Sequence, residues 1–325
     1  MNYHDRIYGA AEITAPVLLD LMNSRAALRL RGVLQHGVTA LLHITSPTTR
    51  FEHSVGVMLL TQRLGAPLKE QIAALLHDVS HTAFSHVIDF VFGGHARQSY
   101  HEEKKAEHLA TTDLPSILAQ HGYDWRDFVD EEAYPLLEQP APALCADRLD
   151  YFLRDSRDLG LATAREVSNV LAHLVAHQGQ IAVDDLATAR WMADTYLAAD
   201  RASWANFREV GLYELTARAL RTALAHGVIH ETDLWSTDEV LWQKLRAHGD
   251  STLQQQMRLI SPQTRFVRDE VTPDFRVRAK QRTIDPHVLH EGKLFQLSEL
   301  DEEFARRRKQ YLEAQSGAWP MRIIS

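Results

Sequence analysis

The chain of 325 residues has a single cysteine, Cys145. No disulfide can form within it, and a reducing compartment is the expected setting. Basic residues are outnumbered: 35 Lys and Arg face 43 Asp and Glu, a formal charge of −8. Such a chain has no general attraction for nucleic acid or an anionic membrane. A small anionic ligand would need a local basic or metal-bearing site. Long apolar runs are missing too, whereas a spanning helix needs about 18 or more consecutive apolar residues. The start, MNYHDRIYGAAEITAP, lacks the apolar core of a secretory signal, so a cytoplasmic protein without a membrane partner is expected. No residue dominates and no fixed period recurs, which excludes solenoids and low-complexity classes. Histidine is what the chain has in quantity, with 18. Imidazole titrates near neutrality and is the commonest metal ligand, so the positions of these histidines carry the argument.

The hydrophobic pattern reads as mainly α. Helices are predicted over 15–23, 24–35 (ending near Gly37), 50–64, 67–79, 87–92, 99–109, 143–159, 164–175, 184–226 and 237–248. Short strands are predicted at 178–182, 264–268, 275–282 and 321–324, and a solvated helix at 303–314. Composition shifts near 249–261. The expected organisation is a helical domain over 1–250 followed by a small C-terminal α+β module over 251–325.

The densest chemistry lies in ALLHDVSHTAFSH, residues 74–86. His77 and Asp78 end an otherwise apolar helix, His81 follows at i+4 from His77, and His86 follows a bend. A buried Asp beside a buried His is costly unless paired. A divalent ion held by imidazole and carboxylate would offset that cost, and such ligands suit Zn, Mn, Fe or Mg. Two ligands are too few. His53, at the start of the 50–64 helix, and Asp147, in ADRLDYFLRD, are the candidates to complete the set. Asp147, Tyr151 and Asp155 share one helical face. Taken singly, each feature also has a plain reading: a hydrogen-bonded core histidine, or a half-buried polar stripe. YHEEKK at 100–105 is not a zinc-protease motif, because Lys105 stands where HExxH needs its second histidine.

The order TRFEHSVGV, ALLHDVSHTAFSH, YHEE, ADRLDYFLRD resembles the HD-domain phosphohydrolase superfamily. Within it, the chain resembles the deoxynucleoside triphosphate triphosphohydrolase branch that includes the SAM-and-HD-domain enzyme of animals. The likeness runs from about residue 5 to 160, and a fainter echo appears at Gln281–Pro286, like an R-x-I-D-P motif of C-terminal modules. The resemblance implies a helical HD-domain bundle and one divalent metal on His53, His77, Asp78 and Asp147, with further Mg accompanying a nucleotide. It implies catalytic roles for His81 and His101, with His86 lining the same pocket. It implies substrate contacts from Gln35, Arg50, Arg148, Tyr151, Asp155 and Arg208, and a homo-oligomer. The reaction expected is hydrolysis of a dNTP to deoxynucleoside and triphosphate. The alternatives are a phosphatase or phosphodiesterase acting on another nucleotide or phosphoester, and a non-catalytic nucleotide sensor.

Overall fold

The computed structural model describes residues 1–93, 98–314 and 317–324. The protein is mainly helical, with small sheets at its margins. Three helices frame the later chemistry: Arg50–Arg63, Leu68–Leu76 and Ala146–Asp158. The first begins at a capping box in which the Thr49 hydroxyl accepts from the Glu52 backbone N–H and the Glu52 carboxylate accepts from the Thr49 N–H. This sets the register that brings Arg50 and His53 to the first turn. Leu68–Leu76 opens with the polar Lys69, Glu70 and Gln71, and its apolar second half, Ile72–Leu76, is buried, which suits a helix that runs into the middle of a bundle. No described helix is long and apolar enough to cross a membrane.

Where a helix is predicted over 24–35, the structure has Arg25–Arg29 and a short 3-10 turn at Leu30–Gly32. The chain then runs extended. The Leu34 N–H donates to the Asp238 carboxylate at 2.9 Å, and the Gln35 N–H donates to the Thr48 carbonyl at 2.9 Å. Gly37 does not close that helix. It precedes Val38–Leu41 with φ of 50°, and a Cβ there would collide with the Phe84 carbonyl. The long 184–226 helix is likewise interrupted, by a π turn at Asp200–Trp204 between Leu186–Ala199 and Phe207–Ala225.

The hairpin Asn2–Asp5/Gly9–Glu12 escapes the sequence pattern. So do the helix Ser251–Leu259 and the hairpin His287–His290/Lys293–Gln296. The sheet of four crosses the 250/251 position: Leu174–His177 and Gln180–Val183 form its first hairpin, and Gln180–Val183 pairs in parallel with His287–His290. A second sheet places Trp319–Ile324 between Arg265–Arg268 and Phe275–Val277. Two apolar cores result. Ile284, Val288, Leu297 and Phe304 join the first, with the HD helices, while Phe275, Val277, Trp319 and Met321 join the second.

Candidate metal centre and cavity

His53 is wholly buried in the first turn of Arg50–Arg63. Its Nδ1 lies 2.7 Å from the Asp150 carboxylate and its Nε2 lies 2.9 Å from Asp147. His77 sits at the end of Leu68–Leu76, with Nδ1 2.7 Å from the Ala74 carbonyl. A carbonyl only accepts, so Nδ1 carries the proton and Nε2 keeps its lone pair. The two Nε2 atoms face one another at 3.2 Å. Asp78 stands 3.7 Å from His53 Nε2 and 3.6 Å from His77 Nε2, and Asp147 is also 3.6 Å from His77 Nε2.

These distances test the fit of an ion. Donor atoms about 2.1 Å from one cation stand about 3.0 Å apart at right angles and about 3.4 Å apart at tetrahedral angles. The contacts among His53, His77 and Asp147 span 2.9–3.6 Å, and Asp78 approaches His53 through Oδ2 at 3.7 Å and His77 through Oδ1 at 3.6 Å. Lone pairs directed at one another without a cation repel, so the donor set fits a divalent metal ion. The electrostatics agree. Burial alone would lower the His53 pKa, yet hydrogen bonds to Asp147 and Asp150 and the charge of Asp78 push it up to about 10. A proton there answers the same negative field that a cation would. Burial opposes ionisation of Asp78 as well, but the Arg50 guanidinium and His77 hold its carboxyl well below the usual range. His53 and His77 do the same for Asp147.

Asp78, His81 and His101 form a second close group of donors. Arg50 donates to Asp78 at 2.8 Å and to the Ser85 hydroxyl at 3.0 Å. A guanidinium already touching the shared carboxylate disfavours another cation there. His81 and His101 stack, with ring centroids 3.9 Å apart, and His86 meets His81 edge-on at 5.0 Å. Burial, with Arg50 adding to it, pushes the His81 pKa down to about 3. Burial pushes His86 and His101 well below the ordinary histidine value, aided by Arg50 and by His81 respectively. All three are neutral imidazoles at physiological pH. The Nδ1 atoms of His81 and His101 are buried without a hydrogen-bond partner.

A cavity of about 350 Å³ opens onto this group. Of the residues predicted from sequence, Gln35, Arg50, His77, Asp78, His81, His86, His101, Asp147, Arg148, Tyr151 and Asp155 line it. His53 lies behind Asp147. Arg208 stands apart: its guanidinium donates to the carbonyls of Thr264 and Pro262, and it does not line the cavity. The Gln35 Oε1 is buried without a partner. Arg148 donates to the Ala143 carbonyl at 2.6 Å and to Cys145 Sγ at 3.0 Å, with Glu138 at 3.5 Å. Tyr151 and Tyr196 share a hydrogen bond of 2.5 Å between hydroxyls. The Asp155 carboxylate receives His36 Nε2 at 3.0 Å and the Trp204 indole N–H at 2.6 Å.

Sequence reasoning missed Asp150, which orients His53, and the aromatic wall of Tyr196 and Trp204. Asp150 had a local signal, the i,i+4 pair with Arg154 inside ADRLDYFLRD. Trp204 had none, because the π turn that carries it departs from the helical period.

The HD domain family model matches residues 50–155, the span that holds every proposed metal ligand. A metal-dependent phosphohydrolase of Cordyceps militaris is 39% identical over 89% of this chain and 85% of its own. A deoxynucleoside triphosphate triphosphohydrolase of Gallus gallus is 29% identical over 49% of this chain and 34% of its own. Among solved structures, a phosphohydrolase of Bacteroides thetaiotaomicron shares the fold, with a TM-score of 0.69 at 17% identity over 95% of this chain and 97% of that one. The chain belongs to the HD-domain superfamily of metal-dependent phosphohydrolases.

Proposed function

We propose that the protein hydrolyses deoxynucleoside triphosphates to deoxynucleoside and triphosphate, using His53, His77, Asp78 and Asp147 as ligands of one divalent ion. The observation that carries this reading is the convergence of His53, His77 and Asp147, with Asp78 3.6–3.7 Å from both imidazoles, beside a cavity that also presents arginine, neutral histidine and a tyrosine–aspartate pair. The partial likeness to the Gallus gallus enzyme supports the choice of substrate. A divalent ion bound there supplies positive charge to a phosphoryl oxygen and makes water a better nucleophile.

The chain's own groups do the rest. Arg50, fixed by Asp78 and Ser85, and Arg148, fixed by backbone carbonyls, present donors to phosphate oxygens. His81 and His101 hold no proton to spare before substrate arrives, so each is able to accept one from the attacking water. The bond formed joins the water oxygen to the α-phosphorus, the bond broken is that to the 5′ oxygen, and the proton ends on the departing 5′ oxygen. Tyr151 and Asp155 face the deoxyribose. Asp155 already accepts two hydrogen bonds, but a carboxylate has about four lone-pair sites, which leaves room for a sugar hydroxyl. His86 borders the same space and is held by Asp89 at 3.1 Å.

A second reading is hydrolysis of another phosphoester such as a nucleoside monophosphate, since the longer and closer match is to a Cordyceps militaris protein named only as a metal-dependent phosphohydrolase. The engagement of Arg208 with backbone carbonyls also leaves one cation fewer for a triphosphate. Incubation of the metal-loaded protein with dNTPs, nucleoside monophosphates and cyclic dinucleotides, with chromatography of the products, decides between them. Release of triphosphate from a dNTP is the expected result. Its absence with every dNTP, with activating nucleotides supplied, would remove the first reading.

A further inference from the structure

The Gln281–Pro286 run has no part in the chemistry above. Its buried half is an anchor. The Asp285 carboxylate accepts from the Ser298 backbone N–H at 2.9 Å and from the Ser298 hydroxyl at 2.6 Å. The Asp285 N–H donates to the Pro142 carbonyl at 2.9 Å, and Ile284 is buried in the first core. On the other flank, Asp200 of the π turn accepts from the Arg282 backbone N–H at 3.3 Å and from the Tyr311 hydroxyl at 2.6 Å. Held in this way, residues 279–283 cross the structure without regular secondary structure and line the cavity of the metal centre.

Two cations come with this strap. Arg282 is half-buried, and its guanidinium donates at 2.6 Å to Gln98 Oε1, another cavity residue. Lys280 is exposed at the rim. Among the described residues, four Lys and Arg line the cavity, and Arg50 and Arg148 are the other two. Those two are bound into the walls, Arg50 by Asp78 and Arg148 by the Gln139 and Ala143 carbonyls. A single phosphoryl group beside the metal ligands would be met by Arg50. A phosphate chain extends further charge into space bordered by Glu102, Glu131 and Glu138, where a polyanion needs counter-charge.

We infer that Lys280 and Arg282 form a phosphate-binding arm, reaching the cavity from beyond the HD match and holding the part of the substrate's phosphate chain that extends past the metal centre. The inference rests on the triphosphate reading. It is tested without turnover, by calorimetric titration of the metal-loaded full chain with tripolyphosphate and with orthophosphate at several salt concentrations. Lys280→Met and Arg282→Gln are each expected to weaken tripolyphosphate binding about tenfold, and the double variant about a hundredfold. The salt dependence becomes shallower, because fewer cations pair with the anion, while orthophosphate binding moves by no more than about twofold. Lys280→Arg retains binding. Arg278→Gln, exposed on the same segment and outside the cavity lining, behaves as wild type. The arm is overturned if the double variant binds tripolyphosphate like wild type, if both anions weaken equally, or if Arg278→Gln loses as much as the arm variants. Wild-type protein that binds tripolyphosphate through Lys280 and Arg282 but cleaves no dNTP would remove the triphosphohydrolase reading and leave the arm standing.

Discussion

One oxygen of Asp150 stands 2.7 Å from His53 Nδ1 and also accepts from Arg154 Nε at 2.7 Å. Arg154 continues the chain to Asp5 at 2.8 Å. Four buried residues from three segments therefore fix the rotation of one imidazole, and with it the direction of His53 Nε2 toward Asp147. Carboxylates behind ligating histidines raise ligand basicity, and their loss typically costs 10–100-fold in affinity. Asp150→Asn is expected to weaken metal binding within roughly that range while the fold persists, as measured by competition with a chelator of known affinity. Unchanged affinity would show that Asp150 serves packing alone.

Removing Arg154 has a different consequence. Arg154→Met leaves Asp5 and Asp150 buried without their cation, and breaking such a pair costs about 3–5 kcal/mol. Urea denaturation of the chelator-treated protein, with no ion to mask the change, reads that loss. A shift well below 1 kcal/mol would mean that water reaches these carboxylates.

Gly56 marks where the network meets the Arg50–Arg63 helix. A Cβ at this position would collide with Asp150 and with the Arg154 guanidinium. Both are held from several sides, so neither has room to withdraw. Gly56→Ala is expected to destabilise by about 1–3 kcal/mol through overpacking, against the gain that alanine normally brings to a helix. A rise in Tm for this variant would contradict the packing described.

Of the proposed metal ligands, His77 and Asp78 had a local signal in the sequence, while His53 and Asp147 entered through the order of motifs that carries the family resemblance. The apolar 73–76 stretch announces a buried helix, and a His-Asp pair at its end, weak by itself, gains weight from the other motifs in order. His81 at i+4 repeats the hint. The strap carrying Lys280 and Arg282 was not legible. FRVRAKQRT alternates like one strand, yet only Phe275–Val277 pairs with its neighbour. Beyond it, Asp200 and Asp285 hold the backbone, and they lie far from each other in sequence. The irregular 33–37 segment was hidden for the same reason. Its partners Asp238, Thr48 and Phe84 come from elsewhere in the chain, so helical periodicity alone continued a helix that tertiary hydrogen bonds end.

His81 separates catalysis from metal retention. In His81→Ala the four ligands remain, so the ion is retained while turnover falls by about 10²–10⁴-fold, the usual contribution of a proton-transferring group. Parallel metal analysis and rate measurement on one preparation test this. Wild-type turnover would remove the catalytic role, and loss of the ion would make His81 a ligand.

Asp238 gives a pH signature. Its carboxylate accepts from the Leu34 and Phe84 backbone N–H groups. Even so, burial pushes its pKa up to about 7, with those hydrogen bonds pulling the other way. The folded protein thus binds this proton more tightly than the unfolded chain. The contribution is fully present below the unfolded carboxylate pKa and is lost as pH rises toward 7, with a slope of at most about 1.4 kcal/mol per pH unit. Relative to Asp238→Asn, wild-type stability is expected to decline between about pH 4 and 7 and to level off above. A flat difference across that range would show that this carboxyl stays ionised.

The central claim is that His53, His77, Asp78 and Asp147 share one divalent ion. Elemental analysis of the purified wild type and of the four single alanine variants, each checked for folding by circular dichroism, tests it most directly. About one equivalent of a divalent metal per wild-type chain, with a substantial loss in every ligand variant and none in His81→Ala, is the result expected. Folded variants at His77 and Asp78 that keep the wild-type metal content would contradict the account.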